Sequence, residues 1–151
     1  MKRIFISCPI SKYSDDDQIS EDYKGFIKKI FNLCKNSSES VYLALERENY
    51  EIKQMKNDDI CTLQDYKAIC NADIVVAIPE DSQGVAVEIG WASALDKKII
   101  LVLDQIYTYS ALIKAINVVT DAIIVNIERK DEYSSVDNIF FEKLSQILKN
   151  I

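Results

Sequence analysis

The stretch Ala72–Leu95, ADIVVAIPEDSQGVAVEIGWASAL, decides the fold: an apolar run passes through a short polar turn into a helix whose first turn carries Glu88. Ile74, Val75, Val76, Ala77 and Ile78 form a continuous apolar run, the pattern of a strand buried on both faces of a parallel sheet. Pro79 ends it. Glu80, Asp81, Ser82, Gln83 and Gly84 follow as the loop at the strand's carboxyl end, the place where open α/β sheets bind their ligands. Glu88 is thereby placed beside a crevice.

On either side of this stretch, strand patterns alternate with helix patterns. The expected strands are Arg3 to Cys8, Val41 to Leu45, Asp73 to Ile78, Lys98 to Leu103 and Ala122 to Ile127. Between the first two, Ile19 to Cys34 carries Tyr23, Phe26, Ile27, Ile30, Phe31 and Cys34 at helical spacing. Asp58 to Asn71 repeats the pattern through Ile60, Leu63, Tyr66 and Ile69, and Ile139 to Ile151 closes the chain with Phe140, Leu144, Ile147 and Leu148 on one stripe. Alternation of this kind predicts an α/β fold, a single doubly wound, Rossmann- or flavodoxin-like domain over residues 1–151, with about five parallel strands flanked by helices. Glu46 to Asn57 is polar and irregular, and is expected to be a mobile loop over the site.

Composition narrows the function. With 151 residues, 48% of them hydrophobic, the chain can bury one sizeable core. A formal charge of −6 argues against a nucleic-acid surface, which needs clustered Lys and Arg. The apolar runs are far shorter than the roughly 20 residues that cross a bilayer. Met1-Lys2-Arg3 leads straight into a strand, so a cytoplasmic protein with no signal peptide and no membrane partner is expected. Cys8, Cys34, Cys61 and Cys70 contain no CxxC pair, and the chain has no histidine. They are read as reduced thiols, mostly packing residues, with Cys8 set apart by its place at the end of the first strand. No metal and no cofactor is called for. Without histidine, proton transfer near neutral pH falls to carboxylates, tyrosine, lysine, cysteine or water, and serine–histidine and cysteine–histidine hydrolases are excluded.

A glutamate in a first helical turn is favoured by the helix dipole whatever its function. Around Glu88, however, Gly84, Ala86, Gly90, Ala92 and Ala94 keep the surroundings small, so that a ligand, a strand or another subunit can come close. Tight packing of helix on sheet explains Gly90 and Ala94 equally well. It does not explain the polar loop with Ser82.

Taken together, these residues resemble the nucleoside 2-deoxyribosyltransferase-like superfamily, and within it the 2′-deoxynucleoside 5′-monophosphate N-glycosidases. The resemblance runs from Ile4 to Ile116 through IFISCPI, LQDYKAICNAD, SQGVAVEIG and YSALIKAI in the family's order. It implies cleavage of the bond between a nucleobase and C1′ of the sugar, with Glu88 as nucleophile and Asp65 as general acid and later base. A carboxylate beside C1′ suits an oxocarbenium-like transition state. Cys8, Pro9 and Ile10 belong to the family's substrate-cradling loop after the first strand. At the position of Ser82, transferases acting on unphosphorylated nucleosides place an aspartate and nucleotide hydrolases a serine. A hydroxyl can donate to a 5′-phosphate that a carboxylate would repel. Gly84, Ser110 and the amides of the following helix would add donors, with Lys12, or Ser11, supplying others from the first loop.

The resemblance further implies a homodimer that exchanges Ser110 between subunits through the helices Val85 to Leu95 and Tyr109 to Val118. The small-molecule partner it implies is a nucleotide, with deoxyribose and ribose both open. The chain departs from the family in three places. The glycine-rich first loop reads SKYSDDD, a histidine near the second strand is replaced by the region of Glu46 and Arg47, and Phe5 stands where the family has a tyrosine, a hydroxyl that Tyr13 is placed to replace. Base exchange, a nucleotide sensor without turnover and an NAD-cleaving domain of the toll/interleukin receptor type remain alternatives.

Overall fold

The computed structural model describes residues 2–15, 18–51 and 57–151. In chain order its elements are β1 (Arg3–Ser7), the ribbon strands β2 (Ser14–Asp15) and β3 (Gln18–Ile19), α1 (Glu21–Asn36), β4 (Ser40–Leu43), α2 (Ala44–Arg47), α3 (Asp58–Asn71), β5 (Ile74–Ala77), α4 (Gln83–Ala94), β6 (Lys98–Asp104), α5 (Ala111–Lys114), β7 (Ala122–Ile127) and α6 (Asn138–Asn150). Short 3-10 turns lie at Ser11–Tyr13, Ile116–Val118 and Tyr133–Ser135.

The main sheet is parallel throughout, in the order β4-β1-β5-β6-β7. Its central strands are apolar on both faces because helices cover both. Ile4, Ile6, Ile74, Val76, Ile100 and Val102 point to α1 and α6, where Phe26, Ile27, Ile30, Phe140, Leu144 and Leu148 meet them. The alternate residues Phe5, Val75, Ala77, Ile99 and Leu101 point to α3 and α4, against Ile69, Val85, Ile89 and Ala92.

From β1 the chain crosses to one edge at β4, then returns past β1 to β5 and continues to the other edge. The loops leaving β1 and β5 therefore diverge, and a crevice opens at their carboxyl ends. This is the doubly wound arrangement that the sequence predicts.

Several boundaries differ from expectation. Glu88 lies on the second turn of α4 rather than the first, because Ser82 is the cap: its Oγ accepts from the Val85 N–H at 3.3 Å, and the helix begins at Gln83. The second strand ends at Leu43, and Ala44–Arg47 turn into α2 with Leu45 buried. The stretch Tyr109 to Val118 divides into α5 and a 3-10 turn. On α3 the stripe Ile60, Leu63 and Tyr66 is exposed, and the helix meets the core through Cys61 and Ile69. Of the expected loop Glu46 to Asn57, Glu46 and Arg47 are helical, Asn49 and Tyr50 are left-handed at φ 52° and 57°, and residues 52–56 lie outside the described residues. Asp16 and Asp17 of the first loop also lie outside them.

Candidate active site

The crevice holds two carboxyl centres on its α3–α4 side. α4 packs on the sheet through Val85, Ile89 and Ala92, which brings Glu88 over the end of β1. There the buried hydroxyl of Ser7 donates to Glu88 Oε2. Burial pushes the Glu88 carboxyl up to about 7; the Ser7 hydrogen bond works against the rise and the Asp65 charge adds to it. Beside it, burial pushes the Cys8 thiol up to about 12, with a hydrogen bond to Tyr23 opposing and the charges of Glu88 and Glu80 reinforcing. Cys8 is therefore a neutral packing residue, buried with Ile4, Ile6 and Tyr23 on the α1–α6 side of the sheet, and not a nucleophile.

Asp65 reaches the same region from α3. Its Oδ1 accepts from the Tyr42 hydroxyl at 2.8 Å and from Arg47 Nη1 at 3.2 Å. Arg47 also donates to the Tyr42 oxygen and, through Nε, to Glu48 Oε1 at 2.6 Å. Burial raises the Asp65 carboxyl, Tyr42 and Arg47 lower it, and Glu48 raises it again. The Tyr42 ring stacks on Phe5 at 5.3 Å, so Phe5 supplies a flat support where a tyrosine was absent.

The first loop and the α4 amino terminus line an open pocket of about 480 Å³, bounded by Pro9, Ile10, Ser11, Lys12, Asp81, Ser82, Gln83 and Gly84. Lys12 Nζ meets Asp81 Oδ1 at 2.5 Å, the Tyr107 hydroxyl at 2.7 Å and Glu80 Oε2 at 3.4 Å. Burial works against its ammonium, but Asp81, Tyr107 and Glu80 outweigh it. Tyr13 turns away from Glu88: its hydroxyl donates to Glu80 Oε2 at 2.5 Å and lies 2.9 Å from that of Tyr133. The hydroxyl on Glu88 comes from Ser7, which corrects the expectation that Tyr13 would replace the missing one.

Within the chain Ser110 lies across the Asp81–Gln83 loop from Lys12. It caps α5, its Oγ accepting from Ile113 N–H at 3.3 Å, and it lines a second, smaller pocket with Ser82, Gln83 and Ala86 that does not include Lys12. Ser82 and Ser110 both accept as caps, and each hydroxyl retains its own proton to donate.

Three features escaped the sequence reading. Ser7 reads as one more strand residue. Tyr42 and Arg47 reach Asp65 only through the sheet and α2. Glu80 reads as a loop residue but is buried, with φ 44° and with Oε1 unpartnered among the described residues.

The sequence profile of the nucleoside 2-deoxyribosyltransferases matches residues 16–139. The chain belongs to this family. Among solved structures, the Clostridium botulinum CMP N-glycosidase BcmB is similar at a TM-score of 0.70 and 27% identity, over 97% of this chain and 99% of that one. The solution structure of BlsM is similar at a TM-score of 0.70 and 25% identity, over 99% and 90%. A 2-deoxyribosyltransferase from Bacillus psychrosaccharolyticus shares the fold at a TM-score of 0.51 and 20% identity, over 66% and 71%. No curated protein sequence gives a significant match. The family is one of glycosidases and transferases acting on nucleosides and nucleotides.

Proposed function

We propose that the protein hydrolyses the N-glycosidic bond of a nucleoside or 2′-deoxynucleoside 5′-monophosphate, releasing the free base and the sugar 5-phosphate. The observation that carries this reading is the half-buried Glu88 carboxyl, held by Ser7 at the switch point of the sheet with Asp65 close enough to shift it. Glu88 attacks C1′ as the C1′–N bond breaks. The electron pair leaves with the base, which takes a proton from the Asp65 carboxyl. Water then adds to C1′, giving a proton to Asp65 and returning the ester's electron pair to Glu88. The Asp65 charge adds to the rise of the Glu88 carboxyl.

The Ser82 hydroxyl, the backbone at Gly84 and the first amides of the 12-residue α4 would receive the 5′-phosphate. Pro9 and Ile10 wall the sugar side, and Lys12 exchanges Asp81 for the phosphate. Tyr13 acts one step back by holding Glu80. The similarity to a CMP N-glycosidase over nearly the whole chain supports hydrolysis and a monophosphate. A homodimer supplying Ser110 across its interface completes the proposal. None of the four cysteines forms a disulfide among the described residues, which fits a cytoplasmic setting, and no helix among the described residues is long and apolar enough to cross a membrane.

The test is chromatographic release of free base from all ribo- and deoxyribonucleoside monophosphates, the matching nucleosides and NAD, with Glu88→Gln alongside. Release from monophosphates, abolished by the substitution and rising with pH through about 7 as Glu88 ionises, is expected. Release from nucleosides only with an acceptor base present would make the protein a transferase, and tight nucleotide binding without release a sensor.

A further inference from the structure

Ser7 closes β1, is 1% exposed, and shares the α4-facing side of the strand with Phe5. Its backbone is fixed by the sheet: it pairs with Ala77, and its carbonyl accepts from the Ile78 N–H at 2.8 Å. A hydroxyl at the end of an apolar strand is unfavourable unless it is partnered. Here the partner is the Glu88 carboxylate.

We propose that Ser7 is the positioning residue of the Glu88 carboxylate: its O–H holds Oε2, aims Oε1 at C1′, and favours the ionised form in a half-buried site. The inference rests on the glycosidase reading and deepens it. The charged and titratable groups that face Glu88 make such a donor necessary. Asp65 approaches from α3 and disfavours the ionised form, and the Cys8 thiol beyond β1 is neutral. Arg47 and Glu48 stand behind Asp65 and are paired with each other. The group seen to favour the carboxylate is Ser7. Because the donor is built into a central strand, it cannot drift as a loop hydroxyl can. The family's tyrosine position, Phe5, lies two residues back on the same face of β1, where it supports Tyr42 instead.

The experiment compares wild type, Ser7→Ala and Ser7→Thr by pH-dependent steady-state kinetics on the best monophosphate, and by carbon-13 NMR titration of glutamate side-chain carboxyls, with Glu88 assigned through Glu88→Gln. In Ser7→Ala the Glu88 midpoint and the acid limb of kcat/KM should both move up by about one unit. The kcat should fall roughly ten- to a hundredfold with KM nearly unchanged. Ser7→Thr keeps a hydroxyl on a strand-compatible side chain and should restore most of the rate and the original midpoint. Should Ser7→Ala not fold, Ser7→Cys, a weak donor, carries the same comparison. A midpoint and an acid limb that stay in place would overturn the proposal, as would equal losses in the Ala and Thr variants. If wild type releases no base from any nucleotide, the glycosidase reading fails, while the NMR titration still decides whether Ser7 controls Glu88.

Discussion

Glu88 has a thermodynamic signature that needs no substrate. Its carboxyl is raised to about 7 in the folded chain against an ordinary 4.5. The folded state therefore holds this proton more tightly than the unfolded state, and stability falls as pH rises from about 4.5 through about 7. Across the full window the contribution is on the order of 3 kcal/mol. Asp73 acts in a separate window: hydrogen bonds from Arg3 pull it down to about 2, so its contribution is present above its ordinary 3.8 and is lost only as pH falls below that. Exposure to solvent keeps it small. Urea denaturation should thus find Glu88→Gln more stable than wild type at pH 8, with the difference shrinking towards pH 5. Equal stability at pH 8 would mean that the carboxylate is hydrated in the folded protein. The residue itself was legible in the sequence from its place after a buried strand. Its charge state was not, because that depends first on burial of the carboxyl and then on Ser7 and Asp65, which only the sheet and α3 bring to it.

At the scale of elements, the sequence was clear where burial alone dictates the pattern. β5 and the Ile99–Leu103 stretch of β6 are unbroken apolar runs, and α1 and α6 show one buried stripe each. It misled where local signals conflict. Gln83 and Gly84 look like loop, yet they form the first turn of α4 because Ser82 satisfies a backbone donor that the helix start leaves open. Leu43 and Leu45 alternate like a strand, yet the chain turns into α2, which sets Arg47 against Asp65. Packing on the sheet fails to account for Gly90, since a Cβ there would meet nothing within 4 Å. The cap at Ser82 gives the element-level test, because under the proposed reading the same hydroxyl that starts α4 also meets the phosphate. Ser82→Ala should lower the unfolding free energy by about 1 kcal/mol. It should also raise KM for the monophosphate while leaving weak binding of the unphosphorylated nucleoside unchanged. A stability loss without that selectivity would confine Ser82 to capping.

For the whole molecule, the arrangement of exposed apolar groups is the feature that one chain does not explain. Leu112 is 83% exposed, Val118 79% and Val119 76%, beside α4 with Val87 and the bare Gly90; on α3, Leu63 is 52% exposed next to Tyr66, which packs edge-on against Trp91 at 5.3 Å. Ser110 opens onto this side, in a pocket that adjoins the Lys12 pocket through Asp81, Ser82 and Gln83. Apolar surface grouped around small residues suits a second copy about a two-fold axis. Under the proposed dimer the α3 stripe, periodic in sequence yet exposed in the single chain, would be covered as well. A shared site makes a prediction that separate sites cannot meet. Glu88→Gln and Ser110→Ala chains would each be impaired alone, but in a mixed dimer the site built on the Ser110→Ala chain keeps its Glu88 and borrows an intact Ser110 from its partner. Mixing the two variants should therefore raise base release above the sum of the separate preparations, and a Leu112→Asp change in both should yield monomers and remove the gain. Activity that stays at the sum, in mixtures shown by native mass spectrometry to contain mixed dimers, would place Ser110 outside the partner's site.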